Sequence, residues 1–174
     1  MRIELDKLEG TEGRFAHAYG TEGLAFEDER VRLSEPPEIS GRVIRDGRDG
    51  SRLVLKGRLT ARAQVDCDRC LKPVEVPVNS EFNLRYVTAE DYESIQTAEL
   101  EDEDLALSVF DGEAIDVDEV ARDQVLLAVP LRALCREDCQ GFCPVCGADR
   151  NLKDCGCQAT ETDPRWAALK DLRF

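Results

Sequence analysis

Leu53-Val-Leu-Lys-Gly-Arg-Leu-Thr-Ala-Arg-Ala-Gln-Val-Asp-Cys67, then Asp68-Arg-Cys-Leu-Lys-Pro73, then Val74-Glu-Val-Pro-Val-Asn-Ser-Glu-Phe-Asn-Leu-Arg-Tyr86, is the stretch that decides the fold. Leu53, Leu55, Leu59, Ala61, Ala63 and Val65 alternate with Val54, Lys56, Arg58, Thr60, Arg62 and Gln64. A period of two marks a strand with one face in the core and one in water. Val74, Val76, Val78, Phe82, Leu84 and Tyr86 repeat the pattern against Glu75, Asn79, Glu81, Asn83 and Arg85. The connection between them is short, so the two strands are expected to form an antiparallel hairpin. Upstream, Gly47-Arg-Asp-Gly50 reads as another hairpin tip, between a strand at Ile39 to Ile44 and the Leu53 strand.

Downstream the pattern changes. Residues 86 to 121 hold thirteen acids and no lysine or arginine, so the net charge of −14 belongs largely to one segment. With weak periodicity and high polarity, residues 88 to 113 are expected to form an acidic loop with one strand near Leu105 to Phe110. Asp116 then reads as a helix N-cap with Glu119 at the capping-box position. Val117, Val120, Ala121, Gln124, Leu127 and Ala128 follow at helical spacing, and Pro130 ends the helix. Asp163-Pro164 reads as the start of a last short helix with Trp166, Leu169 and Leu172 on its apolar side. No internal repeat is visible. The expected fold class is therefore α+β. Residues 1–115 make an antiparallel, barrel-like β domain with the acidic loop; residues 116–174 make a long helix, a small cysteine-rich lobe stapled by metal and a short C-terminal helix.

Eight cysteines in 174 residues are many. The N-terminal stretch has acids at Glu4 and Asp6 and no apolar run suited to a signal sequence or a membrane span, so the expected location is the cytoplasm. In a reducing compartment that cysteine count indicates metal ligation rather than disulfides. Six of the thiols crowd into Cys135, Cys139, Cys143, Cys146, Cys155 and Cys157. Cys143-Pro-Val-Cys146-Gly147 is the most diagnostic piece, because a tight turn lets two thiolates three residues apart converge on one ion. Structural zinc suits four thiolates held tetrahedrally. Cys143 and Cys146 are assigned first, with two more from Cys135, Cys139, Cys155 and Cys157. Alternatively, Cys143 and Cys146 face the second thiol pair, Cys67 and Cys70, or that pair is simply buried.

Catalysis is not expected. A redox-active Cys-x2-Cys belongs at a helix N-terminus in a βαβ setting, which neither motif has. Catalytic zinc usually recruits histidine or glutamate and leaves a position open. The only histidine, His17, is far away in sequence, and no phosphate loop or nucleophile elbow is present.

Charge suggests partners. Between Ser40 and Lys72 nine bases face four acids, and Lys56, Arg58 and Arg62 share one strand face, which makes them candidate contacts for an RNA backbone. The acidic segment would attract a basic protein instead.

Four blocks together resemble the YceD family, the large-ribosomal-RNA-subunit accumulation proteins. They are Cys67-Asp-Arg-Cys-Leu-Lys-Pro73, Val129-Pro-Leu-Arg-Ala-Leu-Cys135, Cys139-Gln-Gly-Phe-Cys-Pro-Val-Cys-Gly147 and Asp163-Pro-Arg-Trp-Ala-Ala-Leu169. The resemblance implies a bacterial or plastid factor that supports accumulation of 23S ribosomal RNA and assembly of the large subunit without catalysis. Its partner would be 23S rRNA, the pre-50S particle or a basic ribosomal protein, with no membrane and no small-molecule substrate. The alternative is a zinc-ribbon adaptor that binds proteins outside the ribosome.

Overall fold

The expected hairpin is the centre of the structure, a computed structural model that describes residues 1–8, 10–20, 23–46, 51–96, 107–157 and 165. Strands β1 to β7 span Arg2–Glu4, Glu12–Ala18, Arg32–Asp46, Arg52–Asp66, Pro73–Thr88, Leu107–Phe110 and Ala114–Asp116; helices α1 and α2 span Ala89–Gln96 and Val117–Ala128. Strands β4 and β5 pair antiparallel from Arg52↔Val87 to Asp66↔Pro73. Alternation sorts their side chains as the sequence requires. Leu53, Leu55, Leu59, Ala63 and Val65 of β4 and Val78 and Phe82 of β5 are buried, while Lys56, Arg58, Thr60, Arg62, Glu75, Asn79, Glu81 and Asn83 are exposed.

The main sheet has the order β2-β3-β4-β5-β6, and β1 pairs with β7 in a separate two-stranded sheet. Neighbours in the main sheet are antiparallel except β5 and β6, which run parallel. The sheet is open, with β2 and β6 as its edges, so the barrel-like expectation is corrected. Residues 47–50, read as a hairpin tip, lie outside the described residues, although Asp46↔Arg52 closes the ladder beside them.

Within the acidic stretch, residues 97–106 lie outside the described residues. Residues 89–96, expected as loop, are helical, and the strand expected near Leu105 to Phe110 is present as β6 over 107–110. The "long" helix is also corrected, because α2 has 12 residues. Asp116 caps it as expected, its carboxylate accepting the N–H groups of Asp118 and Glu119. Val129 leaves in an extended conformation, as a residue before proline must. Val117, Val120, Ala121 and Val125 share one core with Leu55, Leu59 and Phe82. Leu127, expected inward, is exposed, and Val125 takes that position. Gln124 does face inward, where the Ser80 hydroxyl donates to its side-chain carbonyl at 2.7 Å. The last helix, with Trp166, Leu169 and Leu172, lies outside the described residues.

Two glycines permit the sheet's close packing. Gly41 and Gly57 oppose each other across β3 and β4. A Cβ on Gly41 would lie 2.9 Å from the Phe15 ring, and one on Gly57 would lie 2.6 Å from the Phe82 ring. The rings fill the space the glycines leave.

Candidate metal centres

The connection between β4 and β5 carries Cys67 and Cys70, and the segment after α2 carries the other six cysteines. The eight thiols fall into two tetrads that could each hold a metal ion: Cys67, Cys70, Cys135 and Cys139, and Cys143, Cys146, Cys155 and Cys157. Within each tetrad all four sulfur atoms lie within 4.8 Å of one another. Cys67 and Cys139 Sγ are 3.9 Å apart, and Cys70 and Cys135 Sγ are 3.5 Å apart. A tetrahedral ion with bonds of about 2.3 Å places its sulfurs about 3.8 Å apart, so the donor set fits. Cys135 and Cys139 are thus brought to Cys67 and Cys70, while Cys155 and Cys157 join Cys143 and Cys146. Neither tetrad pairs Cys143 and Cys146 with Cys67 and Cys70.

Each tetrad is built on the same turn. In the first, Cys67 N–H donates to the Lys72 carbonyl (2.8 Å), Leu71 N–H returns to the Cys67 carbonyl (2.9 Å), and Asp66 pairs with Pro73 outside them. In the second, Cys143 N–H donates to Ala148 (2.8 Å), Gly147 N–H returns to Cys143 (2.9 Å), and Phe142 bridges Asp149. The offsets are identical. Leu71 at φ 56° and Gly147 at φ 71° occupy the same left-handed position. A local structural repeat is therefore present that the sequence conceals, since the two turns share little beyond their cysteines.

These turns aim backbone donors at sulfur. Burial acts to raise the Cys67 thiol, but the N–H groups of Arg69, Cys135 and Cys70 outweigh it and bring the group down to about 6. At Cys143 the N–H groups of Cys146 and Val145 act likewise, against burial, and it too falls to about 6. Thiolate is the form that binds metal, so each turn prepares its leading cysteine for ligation.

The first tetrad ties distant elements together. Asp68 N–H donates to the Ala133 carbonyl, and Ala133 N–H donates to the Asp68 carboxylate. Cys135 N–H points at Cys67 Sγ from 3.4 Å. The two tetrads also touch. Asn151, beside the second, donates its amide N–H toward Cys139 Sγ at 3.6 Å and accepts Gln140 N–H and the Arg136 guanidinium, both at 2.8 Å. Lys72 of the first turn pairs with Asp149 of the second at 3.2 Å. Gly141 lies against Arg69, and a Cβ there would stand 2.6 Å from the Arg69 carbonyl oxygen. The first tetrad is the more buried: Cys67, Cys70 and Cys139 are buried and Cys135 is exposed, whereas in the second only Cys143 is buried, Cys155 is half-buried, and Cys146 and Cys157 are exposed.

The candidate RNA contacts Lys56, Arg58 and Arg62 all project from the outer sheet face. Arg58 is paired with Glu81 at 2.7 Å and Arg62 with Glu35 at 2.9 Å. His17 packs edge-on against Tyr19. Among the described residues no helix is long and apolar enough to cross a membrane.

The architecture defines an α+β protein in which paired cysteine turns extend from a strand-rich domain. Residues 55–173 match the sequence model described as "Large ribosomal RNA subunit accumulation protein YceD", and the chain belongs to that family. An uncharacterized protein of Mycobacterium tuberculosis is 32% identical over 120 residues, covering 69% of this chain and 55% of that protein, and an uncharacterized protein of Mycobacterium bovis gives the same figures. The chain thus spans about half the length of these mycobacterial relatives. The chloroplastic "Large ribosomal RNA subunit accumulation protein YCED homolog 1" of Arabidopsis thaliana is 37% identical over 59 residues, covering 34% of this chain and 18% of that protein. No solved structure matches. The family is named for accumulation of an RNA, not for a reaction.

Proposed function

We propose that this protein is a non-catalytic factor for accumulation of 23S ribosomal RNA, acting in the cytoplasm on the assembling large subunit, with one structural zinc ion in each tetrad. The observation that carries this reading is the match of residues 55–173 to a family named for large-subunit RNA accumulation. The geometry supports the zinc assignment. Four mutually adjacent thiolates make a closed site with no open coordination position, which is the arrangement of structural rather than catalytic zinc. A soft, all-sulfur donor set favours zinc over magnesium or calcium.

Sedimentation of cell lysate tests the function. The protein should travel with pre-50S particles, and cells lacking it should hold less 23S than 16S RNA; a profile confined to the top of the gradient with an unchanged RNA ratio would contradict the reading. Elemental analysis tests the metal. Two zinc ions per chain are expected, and a metal-free native preparation would remove the zinc assignment while leaving the ribosomal one.

A further inference from the structure

Strand register places side chains that are distant in sequence in a single row. Across the outer face, Arg14 of β2 stands opposite Arg42 of β3, Arg42 opposite Lys56 of β4, and Lys56 opposite Asn83 of β5. Three bases therefore occupy one rung, about 5 Å apart from strand to strand. Like charges directly opposite one another destabilise a sheet. Elsewhere on this face the chain avoids that cost by pairing bases with acids, as in Arg58 with Glu81, Arg62 with Glu35 and Arg32 with Asp66. On the rung, Arg14 and Lys56 have no carboxylate partner among the described residues, and Arg42 reaches only Glu12, at 3.6 Å.

The protein has 37 acidic side chains against 23 basic ones, so a row of three bases with a single acid, Glu12, beside it is not a consequence of composition. The rung also lies in a concavity. Arg14, Ser40, Arg42, Lys56, Arg58 and Glu81 line an open depression of about 510 Å³ where the backbones of Gly41 and Gly57 meet, the Glu81 carboxylate being the one paired with Arg58. A positive concavity with exposed hydroxyl and amide donors, at Ser40 and Asn83, has the chemistry of a site for successive phosphates.

We infer that the Arg14–Arg42–Lys56 rung is a binding site for the phosphodiester backbone of RNA. This rests on the ribosomal reading above for the choice of RNA, and it deepens that reading by naming the contacting groups. Tyrosine, phenylalanine and tryptophan are absent from the rung and from the neighbouring row of Ala16, Ser40, Arg58 and Glu81, so these rows offer bases no aromatic ring to stack on. Recognition is through charge and backbone shape, and base sequence leaves affinity unchanged.

The test is fluorescence anisotropy of the full metal-loaded chain with an end-labelled RNA duplex of about 16 base pairs, long enough to present two grooves. Changing Arg14, Arg42 and Lys56 together to Gln should weaken binding roughly tenfold or more at low salt and reduce the slope of log affinity against log salt by about 2 to 3. Arg30→Gln with Arg32→Gln, at two arginines already paired with Asp28 and Asp66, is the control for lost charge and should change affinity by less than about twofold. Unchanged binding by the triple variant overturns the rung, as does a wild-type protein that shows no salt-dependent binding. Lysate sedimentation keeps the two readings separate. If the protein travels with pre-50S particles but has no affinity for the duplex, the rung fails, the ribosomal reading stands, and the contact is with protein.

Discussion

Gly147 and Gly141 both have a positive φ, but for different reasons, and their substitutions should separate. At Gly147, φ is 71° and a Cβ would meet nothing within 4 Å, so Gly147→Ala carries only the backbone penalty, about 1 kcal/mol. At Gly141 the same penalty adds to a collision with the Arg69 carbonyl, which accepts Phe142 N–H. Gly141→Ala should therefore cost at least about 1 kcal/mol more in urea melts of the loaded protein, and equal costs would show that the Arg69 contact is unimportant. Leu71, the first turn's counterpart of Gly147, is 64% exposed, so Leu71→Gly should be close to neutral. That left-handed role was not legible at Leu71, because nothing in a leucine announces positive φ; at Gly147 it was. Tyr86 gives a pH signature. Burial, then Glu119 and Asp123, push its hydroxyl up to about 12 from an ordinary value of 10. Its contribution to stability is complete below pH 10 and is lost as pH rises toward 12. Melting temperature should fall across that interval, and Tyr86→Phe should make the fall shallower.

Among the elements, hairpin β4–β5 was fully legible because half-burial on one face imposes a period of two over its whole length. Helix α2 was legible at its ends, where Asp116 and Pro130 act locally, and less so along its face. The difference between Leu127 and Val125 is one of rotation, set by what the sheet presents rather than by the helix itself. Asp116→Ala should cost about 1 kcal/mol in thermal unfolding, the usual value of a capping carboxylate. Least legible was the assortment of cysteines. Spacing identifies Cys-x2-Cys turns, but which further thiols reach them depends on where α2 delivers the chain, and Cys135 and Cys139 arrive beside β4 and β5 only through that packing. With zinc in both sites, Cys157→Ser should lower the metal content from two per chain toward one with the sheet intact. Cys67→Ser should lose the other ion and also loosen the hairpin tip, visible as faster amide exchange at Asp68 and Ala133. A dilute chelator should empty the exposed tetrad before the buried one. Simultaneous release would mean that the Asn151 and Lys72 links make the two sites one unit.

For the molecule as a whole, charge and metal are coupled. Four thiolates outweigh one dication, so a loaded site would carry two net negative charges; with Cys67 and Cys143 already ionised at neutral pH, each bound ion would add about one negative charge to a chain whose other side chains sum to −14, and the loaded protein should migrate faster toward the anode than the stripped one. The basic rung is thus a local exception on an increasingly anionic surface, and RNA affinity should depend steeply on salt. The inner tetrad also has a mechanical meaning. Cys67 and Cys139 are 72 positions apart, so an ion between them turns the whole span from β5 through α2 into a closed ring. In an optical trap, with handles at the two termini, that ring would shorten the stretched contour by about 250 Å until the sulfur–metal bonds give way. A rupture of that length, present with zinc and absent after stripping, would mark the knot directly.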